Sequence, residues 1–433
     1  MKARVTSWLA QTNHAAFSIY AIAAAFITYF SMYSFRKPFT AGIYEGMTVW
    51  GMDYKTIAVM MQIVGYTLSK FLGIKFVAEL RASTRIVVIL VLMGIAWVTL
   101  LFFAIIPRPY NIAFLFLNGL PLGMIWGVVF SFLEGRRFTE LLGAGMATSF
   151  IVSSGIVKAT GRSLVVNHGI SEFWMPFLTG AIYMPALLIG TLMLSAIPAP
   201  TETDELYRTK RVPMDRAARR RFFARFALGI LLMATIYVAL TIFRDVRDNF
   251  AVEIWSALGY ADKPGILATA EIPIALAVLL IVGAMIFIKN NRVAFYLNQA
   301  IIIFAGLLLL STTFIFVRYG MNPALWMILN GFSMYLAYIA YHTFLFERWI
   351  ALFRYESNIG FLMYIVDAFG YLGSVSILML KNFGNLSSSW LSLFIKITYV
   401  TALLTMVLGI AGTIYFINKE KRQDASSEAP QTD

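Results

Sequence analysis

Long uncharged runs separated by short polar breaks recur from one end of the chain to the other. An α-helix needs about 20 apolar residues to cross a bilayer. The pattern predicts twelve such helices, at roughly 15–43, 55–78, 85–106, 110–133, 141–166, 172–196, 223–256, 265–288, 293–317, 322–346, 356–381 and 390–417. The runs lack the short alternating segments of an outer-membrane barrel, so the expected class is all-α and polytopic. Lys2 and Arg4 precede an apolar stretch with small residues at Ala23 to Ala25, as in a signal peptide. The run stays uncharged to Phe35, however, and reads as the first span.

The longest polar break, Pro198 to Arg221, carries Arg208, Lys210, Arg211, Arg216, Arg219, Arg220 and Arg221 and divides six spans from six. The expected organisation is an N-terminal six-helix half over 1–197, a cytoplasmic basic linker over 198–222, a C-terminal six-helix half over 223–418 and a disordered cytoplasmic tail over 419–433. Matching text supports a duplication. Asn118-Gly119 begins a segment that ends in Glu134-Gly135-Arg136, and Asn330-Gly331 begins one that ends in Phe346-Glu347-Arg348, an offset of 330 − 118 = 212. Arg36 and Arg244 are separated by 244 − 36 = 208. Two matches at nearly one offset point to a parallel repeat, hence two pseudo-symmetric halves.

Composition narrows the class. With 60% hydrophobic residues, 13% charged residues and a mean hydropathy of +0.75, ordinary soluble packing is excluded. The net charge of +13 would suit a nucleic-acid binder, but its placement argues for orientation instead. With the N-terminus inside, the outer loops hold Lys55, Arg108, Lys263, Arg318 and Lys381, and the inner loops and tails hold many more cations. That bias predicts an inner (plasma) membrane protein with both termini cytoplasmic. Anionic lipid is then a partner of the basic surface, and nucleic acid is not. The chain has no cysteine, so disulfides and thiolate sites are absent. Walker, zinc-protease and dinucleotide motifs are also missing, and no enzyme activity, cofactor or metal is expected. A monomer is expected.

The chemistry must come from charges inside the spans. Arg36 and Lys37 follow the 21-residue uncharged run Ala15 to Phe35, and Arg244 follows the run Phe226 to Phe243. A cation there either snorkels to an interface or lines a watery cavity; its recurrence in both halves favours the cavity. Arginine suits phosphate or carboxylate, because its planar fork gives paired charged hydrogen bonds and keeps its proton. Tyr33, one turn before Arg36, is placed in the same cavity. Lys70 either completes the anion site or sits at the inner lipid interface. Lys37 points about 100° away from Arg36 and reads as an interface or packing residue. Lys158 and Arg162, four residues apart, need an anion or a carboxylate across the bundle, and Lys158 is counted with the substrate ligands. Asp245, Arg247 and Asp248 crowd the turn after Arg244, where the i,i+4 spacing pairs Arg244 with Asp248, as a structural pair or as a gate released by substrate. Glu271 and Asp367, inside the eighth and eleventh spans, are partners for the fifth-span cations or, if unpaired, proton-coupling carboxylates. His342 reads as a core histidine, Trp126 and Tyr338 as weaker cavity residues, and Asn385-Leu386-Ser387 as a glycosylation sequon in an outer loop.

Two six-helix halves about an axis normal to the membrane resemble the major facilitator superfamily. The run Tyr33-x-x-Arg36-Lys37-x-Phe39-x-Ala41, followed by Gly65-Tyr66-x-x-Ser69-Lys70-Phe71, looks like the first two helices of the organophosphate:phosphate antiporters, and Leu240 to Trp255 is similar to their seventh. The resemblance implies a rocker-switch carrier in which Arg36 and Arg244 bind phosphate with Lys70 nearby. Three features depart from that pattern, one of them the extra charges Asp245, Arg247 and Asp248 on the seventh helix. The loop after the second helix keeps only Glu79-Leu80-Arg81, and Lys158 and Arg162 occupy the fifth span where the antiporters have a histidine.

The resulting expectation is a secondary active transporter for a small organic anion, phosphorylated for preference, working by alternating access around Arg36 and Arg244 with phosphate or protons as the coupled ion. A proton-coupled symporter of carboxylates or sugar acids and a transporter-like membrane sensor are the alternatives.

Overall fold

Hydrocarbon offers no partner to a bare peptide group, so a chain with apolar runs this long must close its own N–H and C=O groups into helices. The computed structural model describes residues 2–78, 80–134, 136, 139–200, 216–285, 287–341, 345–353, 359–383 and 389–428. Its helices are α1 Lys2–Gln11, α2 His14–Arg36, α3 Tyr54–Ala78, α4 Arg85–Ile105, α5 Ile112–Phe130, α6 Thr139–His168, α7 Met175–Ser195, α8 Arg216–Asn249, α9 Ala251–Ala257, α10 Ile266–Thr269, α11 Glu271–Met285, α12 Asn291–Tyr319, α13 Pro323–Ala340, α14 Phe346–Leu352, α15 Ile359–Phe383 and α16 Trp390–Glu428. Among the described residues, 11 helical segments are long and apolar enough to cross a membrane. The remaining expected span, 356–381, coincides with α15. Leu192, Leu231 and Leu280 are exposed on these helices, as apolar side chains facing lipid should be.

Local chemistry moves some expected boundaries. The first span was expected to reach residue 43, but α2 stops at Arg36 because Pro38, which has no N–H, starts a 3-10 turn, Pro38–Ala41. The seventh span was expected over 223–256; α8 starts earlier, at Arg216, is non-helical at Phe226 (φ −122, ψ 17) and ends at Asn249, after which α9 begins. The tail expected to be disordered from 419 is helical to Glu428. It contains no Gly or Pro between Thr413 and Glu428, and Glu420 anchors it by accepting from Tyr296 Oη (2.8 Å) and pairing with Arg292 (3.1 Å). Glu79, His342 and the Asn385-Leu386-Ser387 sequon lie outside the described residues.

By contact the chain forms two compact units, one of Met1–Thr209, Asp245–Gly283 and Ser374–Phe394, the other of Lys210–Arg244, Ala284–Gly373 and Ile395–Asp433. The expected halves follow the order of the sequence, whereas the first unit also takes in the last turn of α8, all of α9 and α10, and most of α11.

In the first unit, glycines let backbones touch where larger residues would hold them apart. A Cβ on Gly119 of α5 would stand 2.7 Å from the Tyr66 nitrogen of α3, and one on Gly123 would stand 2.7 Å from the Tyr66 oxygen. Asn118, fully buried, fastens the crossing. Its Nδ2 donates to the carbonyls of Phe35 (3.1 Å) and Ala96 (2.9 Å), and its Oδ1 accepts from Gln62 (2.8 Å). After α2, Glu172 caps the loop by accepting from the Ile43 and Tyr44 amides at 2.6 and 2.7 Å. A small hairpin follows, β1 Thr48–Val49 and β2 Met52–Asp53, with φ positive at Trp50 and Gly51 as a type I′ turn requires. In the second unit, a Cβ on Gly370 of α15 would stand 2.9 Å from Thr241 Oγ1 of α8, and one on Gly373 would stand 2.9 Å from Ile242 Cδ1.

Candidate functional site

Within the first unit, the close crossing of α3 and α5 places the Tyr66 ring under Arg36. The Arg36 Cζ lies 3.8 Å from the Tyr66 ring centroid and 5.9 Å from that of Tyr33. Gln62, one turn before Tyr66, donates to the Arg36 carbonyl at 2.9 Å, so α3 holds both the backbone and the head group of this arginine. Lys70, one turn after Tyr66, has its Nζ 5.4 Å from the same ring. The structure places Arg36, Tyr33 and Lys70 around the ring of Tyr66, which was not among the expected site residues. Arg36 is 7% exposed. Stacking engages the guanidinium face, while the N–H donors lie along its edge.

The charges on the last turn of α8 settle differently from the expectation. Asp248 was expected to pair with Arg244 along the helix. Instead its carboxylate bridges two lysines, with Oδ2 2.5 Å from Lys37 Nζ and Oδ1 2.6 Å from Lys158 Nζ. The Ser154 hydroxyl donates to the same carboxylate, and Lys37 also donates to Asn249 at 2.8 Å. Of the two readings of Lys37, interface or packing residue, burial favours packing: the end of α2 turns it inward, where it is 5% exposed. Lys158, expected among the substrate ligands, has Asp248 as its counter-charge. Its neighbour Arg162 lies 3.6 Å from Glu172. Glu271, expected opposite the fifth-span cations, pairs with Arg247 at 2.6 Å. Gly155 of α6 lets α10 and α11 approach there, since a Cβ would meet Glu271 Cγ at 2.8 Å. Asp245 is buried. Lys55, counted among outer-loop cations, is 1% exposed and pairs with Glu253 at 2.5 Å. Buried charges need such partners, because desolvating a lone ion costs several kcal/mol.

The second unit repeats the arginine-on-tyrosine arrangement with other residues. Arg244 donates to the Tyr338 hydroxyl, and its Cζ lies 4.5 Å from the Tyr338 centroid and 5.8 Å from that of Tyr371. Tyr237, two turns before Arg244 on the same face of α8, donates to Asp367. Its ring is stacked on Tyr338 at 5.3 Å and 26°, and the two hydroxyls are 3.1 Å apart. The approach of α15 at Gly370 and Gly373 is what brings Asp367 to this group. Tyr338, expected as a weaker cavity residue, sits at the arginine, whereas Trp126, 212 positions earlier, is 39% exposed and stacks on Phe130. Tyr237 and Tyr371 escaped the sequence reading. The one available signal was the seven-residue spacing from Tyr237 to Arg244, which puts them on one helical face.

The fold is shared with solved transporters. The D-xylose-proton symporter aligns with a TM-score of 0.58 and 12% identity over 93% of this chain and 97% of its own. The nucleoside transporter NupG aligns with a TM-score of 0.60 and 14% identity over 92% and 98%. An inward-open xylose transporter XylE from E. coli aligns with a TM-score of 0.59 and 9% identity over 91% and 95%. These likenesses show the polytopic all-α major facilitator fold. No curated protein matches the chain. A family model described as a family of unknown function, DUF5690, matches residues 38–419.

Proposed function

The chain belongs to the DUF5690 family, and on that premise we propose that it is a secondary carrier of a small organic anion, bound through Arg36 and Arg244 and moved by alternating access. One observation carries the reading. At two places 208 residues apart in a duplicated sequence, an arginine on a membrane-spanning helix lies on a tyrosine ring, 3.8 Å from Tyr66 in one case and 4.5 Å from Tyr338 in the other. Apolar membrane interiors select against such cations unless they serve a ligand, a proton or a partner charge. A stacked guanidinium keeps its orientation while its edge meets a carboxylate or phosphate in two parallel hydrogen bonds. Lys70, beside Tyr66, adds a third positive group, with flexible reach suited to the same anion.

The three aligned structures are named as transporters of xylose and of nucleosides. Their fold supports a carrier, and the arginines supply the preference for negative charge. The proposed orientation keeps both termini in the cytoplasm of a plasma membrane. The twofold division at 1–197 and 223–418 is kept as the moving parts of the carrier, and Asp248 with its two lysines as a latch on that motion.

A thermal-shift screen of phosphorylated and carboxylated metabolites on the purified protein tests the reading. Binding should fall at least about tenfold in Arg36→Lys and in Arg244→Lys, since lysine keeps the charge and loses the fork. Equal affinity in wild type and both variants would remove the two arginines from the site. Binding with no counterflow in proteoliposomes would turn the carrier into a sensor.

A further inference from the structure

Helices α8 and α16 of the second unit touch at Gly229, where a Cβ would stand 2.7 Å from Phe416 Cζ and 2.8 Å from Tyr415 Cε1. One helical turn from that contact, on the ends that the proposed topology turns to the cytoplasm, each helix carries a cation: Arg225 on α8 and Lys419 on α16. Both stand at the ring of Phe226, with Arg225 Cζ 5.7 Å and Lys419 Nζ 5.2 Å from its centroid. Beside the non-helical Phe226, the Arg225 carbonyl accepts from Lys419 Nζ, and Arg225 itself donates to Gln423 at 3.2 Å. Arg221, four residues before Arg225, and Arg422, three after Lys419, are exposed and enlarge the patch. Counter-charge is scarce here. No Asp or Glu occurs from Arg216 to Phe243. Glu420, next to Lys419, is turned to α12, where its two oxygens meet Arg292 and Tyr296. Among the described residues, no carboxylate lies within ion-pair distance of Lys419.

We propose that these ends of α8 and α16 form a headgroup site for an anionic phospholipid, whose phosphate is held by Arg225, Lys419 and Arg422. Like charges brought together from two helices repel, and at the rim of a bilayer an anion relieves the repulsion. A basic pocket between membrane helices on the cytoplasmic side suits a lipid phosphate, which the anionic lipids of that leaflet present at the same depth. Arginine takes two phosphate oxygens through its fork, and lysine takes a third as a point charge. The apolar surroundings favour a lipid over a soluble anion. On the membrane side of the cations, Leu228 and Leu231 of α8 are exposed, and so are Ile410 and Ile414 of α16. An acyl chain hung from the phosphate lies along such side chains and buries surface that a free phosphate leaves bare. The inference does not rest on Arg36 or Arg244 as anion ligands, whose affinity is a separate readout.

Lipid titration of the purified full chain in dodecyl maltoside tests this, with bound lipid counted by native mass spectrometry. Phosphatidylglycerol should bind at a lower mole fraction than phosphatidylcholine. Its half-saturation should rise about fivefold in Arg225→Gln and in Lys419→Gln, the effect of one cation-to-headgroup contact each. Arg422→Gln, at an exposed position of α16, should show the same rise and serves if either of the others does not fold. Arg318→Gln removes an exposed cation from the far end of α12 and should leave the half-saturation unchanged. An unmoved half-saturation in the folded variants would overturn the proposal. An equal rise in Arg318→Gln would also overturn it, because adsorption by net charge would then be enough. Phosphatidylcholine binding as tightly as phosphatidylglycerol would leave an apolar surface with no headgroup site. Inorganic phosphate that displaces phosphatidylglycerol from wild type, and loses its own binding in Lys419→Gln, would assign the cations to a soluble anion instead.

Discussion

An aspartate bridging two buried lysines is a small electrostatic knot, and its members are not interchangeable. Lys37, at the end of α2, and Lys158, inside α6, meet only because Asp248 stands between their ammonium groups, 2.5 and 2.6 Å away. Asp248→Asn would leave two desolvated like charges facing an amide. Stability should fall by about 3–5 kcal/mol, the usual cost of breaking a buried pair by removing one partner. The drop is read as a lower unfolding midpoint in detergent. Replacing all three by apolar residues of similar size should recover most of it, because the desolvation cost disappears with the charges. A triple variant as unstable as Asp248→Asn would show that the knot holds the fold by something other than charge. At the arginines the stacked tyrosine matters in a different way. Tyr66→Phe keeps the ring under Arg36 and should leave anion affinity within a few fold, whereas Tyr66→Ala removes the platform and should weaken it about tenfold, as a loss of 1–2 kcal/mol of cation–π contact implies. Parallel titrations of the two variants distinguish a ring platform from a hydroxyl ligand.

Helices carry these side chains to their places through residues with no chemistry of their own. The crossing of α3 on α5 depends on Gly65, Gly119 and Gly123, and the approach of α15 to α8 on Gly370 and Gly373. Gly119→Leu should push α5 off α3, costing roughly 1–3 kcal/mol as overpacked interiors do, and shift Tyr66 from beneath Arg36. Anion affinity should then fall more than in Gly94→Leu, since nothing lies within 4 Å of a Cβ at Gly94. Comparable losses at the two glycines would mean that the crossing does not position the site. Helix α8 carries two kinds of charge on adjacent turns: Arg244 belongs to the Tyr338 and Asp367 cluster, and Asp248 to the lysine knot. The i,i+4 rule predicted that these two would meet, but tertiary partners with better geometry outbid a surface-style helical pair.

For the whole molecule, orientation is the property most directly checked, and the composition makes the check simple. The chain has no cysteine, so single cysteines can be introduced without a background. Trp50→Cys lies in the turn of the β1–β2 hairpin, which the proposed topology puts outside and where Trp50 is 76% exposed. It should react with a membrane-impermeant maleimide in intact cells. Ser7→Cys, on α1, should react only after the membrane is opened. The reverse pattern would invert the proposed topology and put the lysine knot at the inner face.

Much of this was legible from the chain alone. The number and placement of the spans follow from apolar runs, because a bilayer leaves a long uncharged segment few alternatives to a helix. The expectation of a duplication rests on repeated text, and the choice of Arg36, Arg244, Lys158 and Asp367 as site candidates rests on the cost of charge in hydrocarbon. The partners of those charges were beyond its reach. Whether Asp248 turns to Arg244 or to Lys37 and Lys158, and whether Tyr66 or Tyr237 stands beside an arginine or a carboxylate, depends on helix crossings set by glycines far away in sequence. Spacing along one helix fixes a direction, and only the packed neighbours decide what is met there.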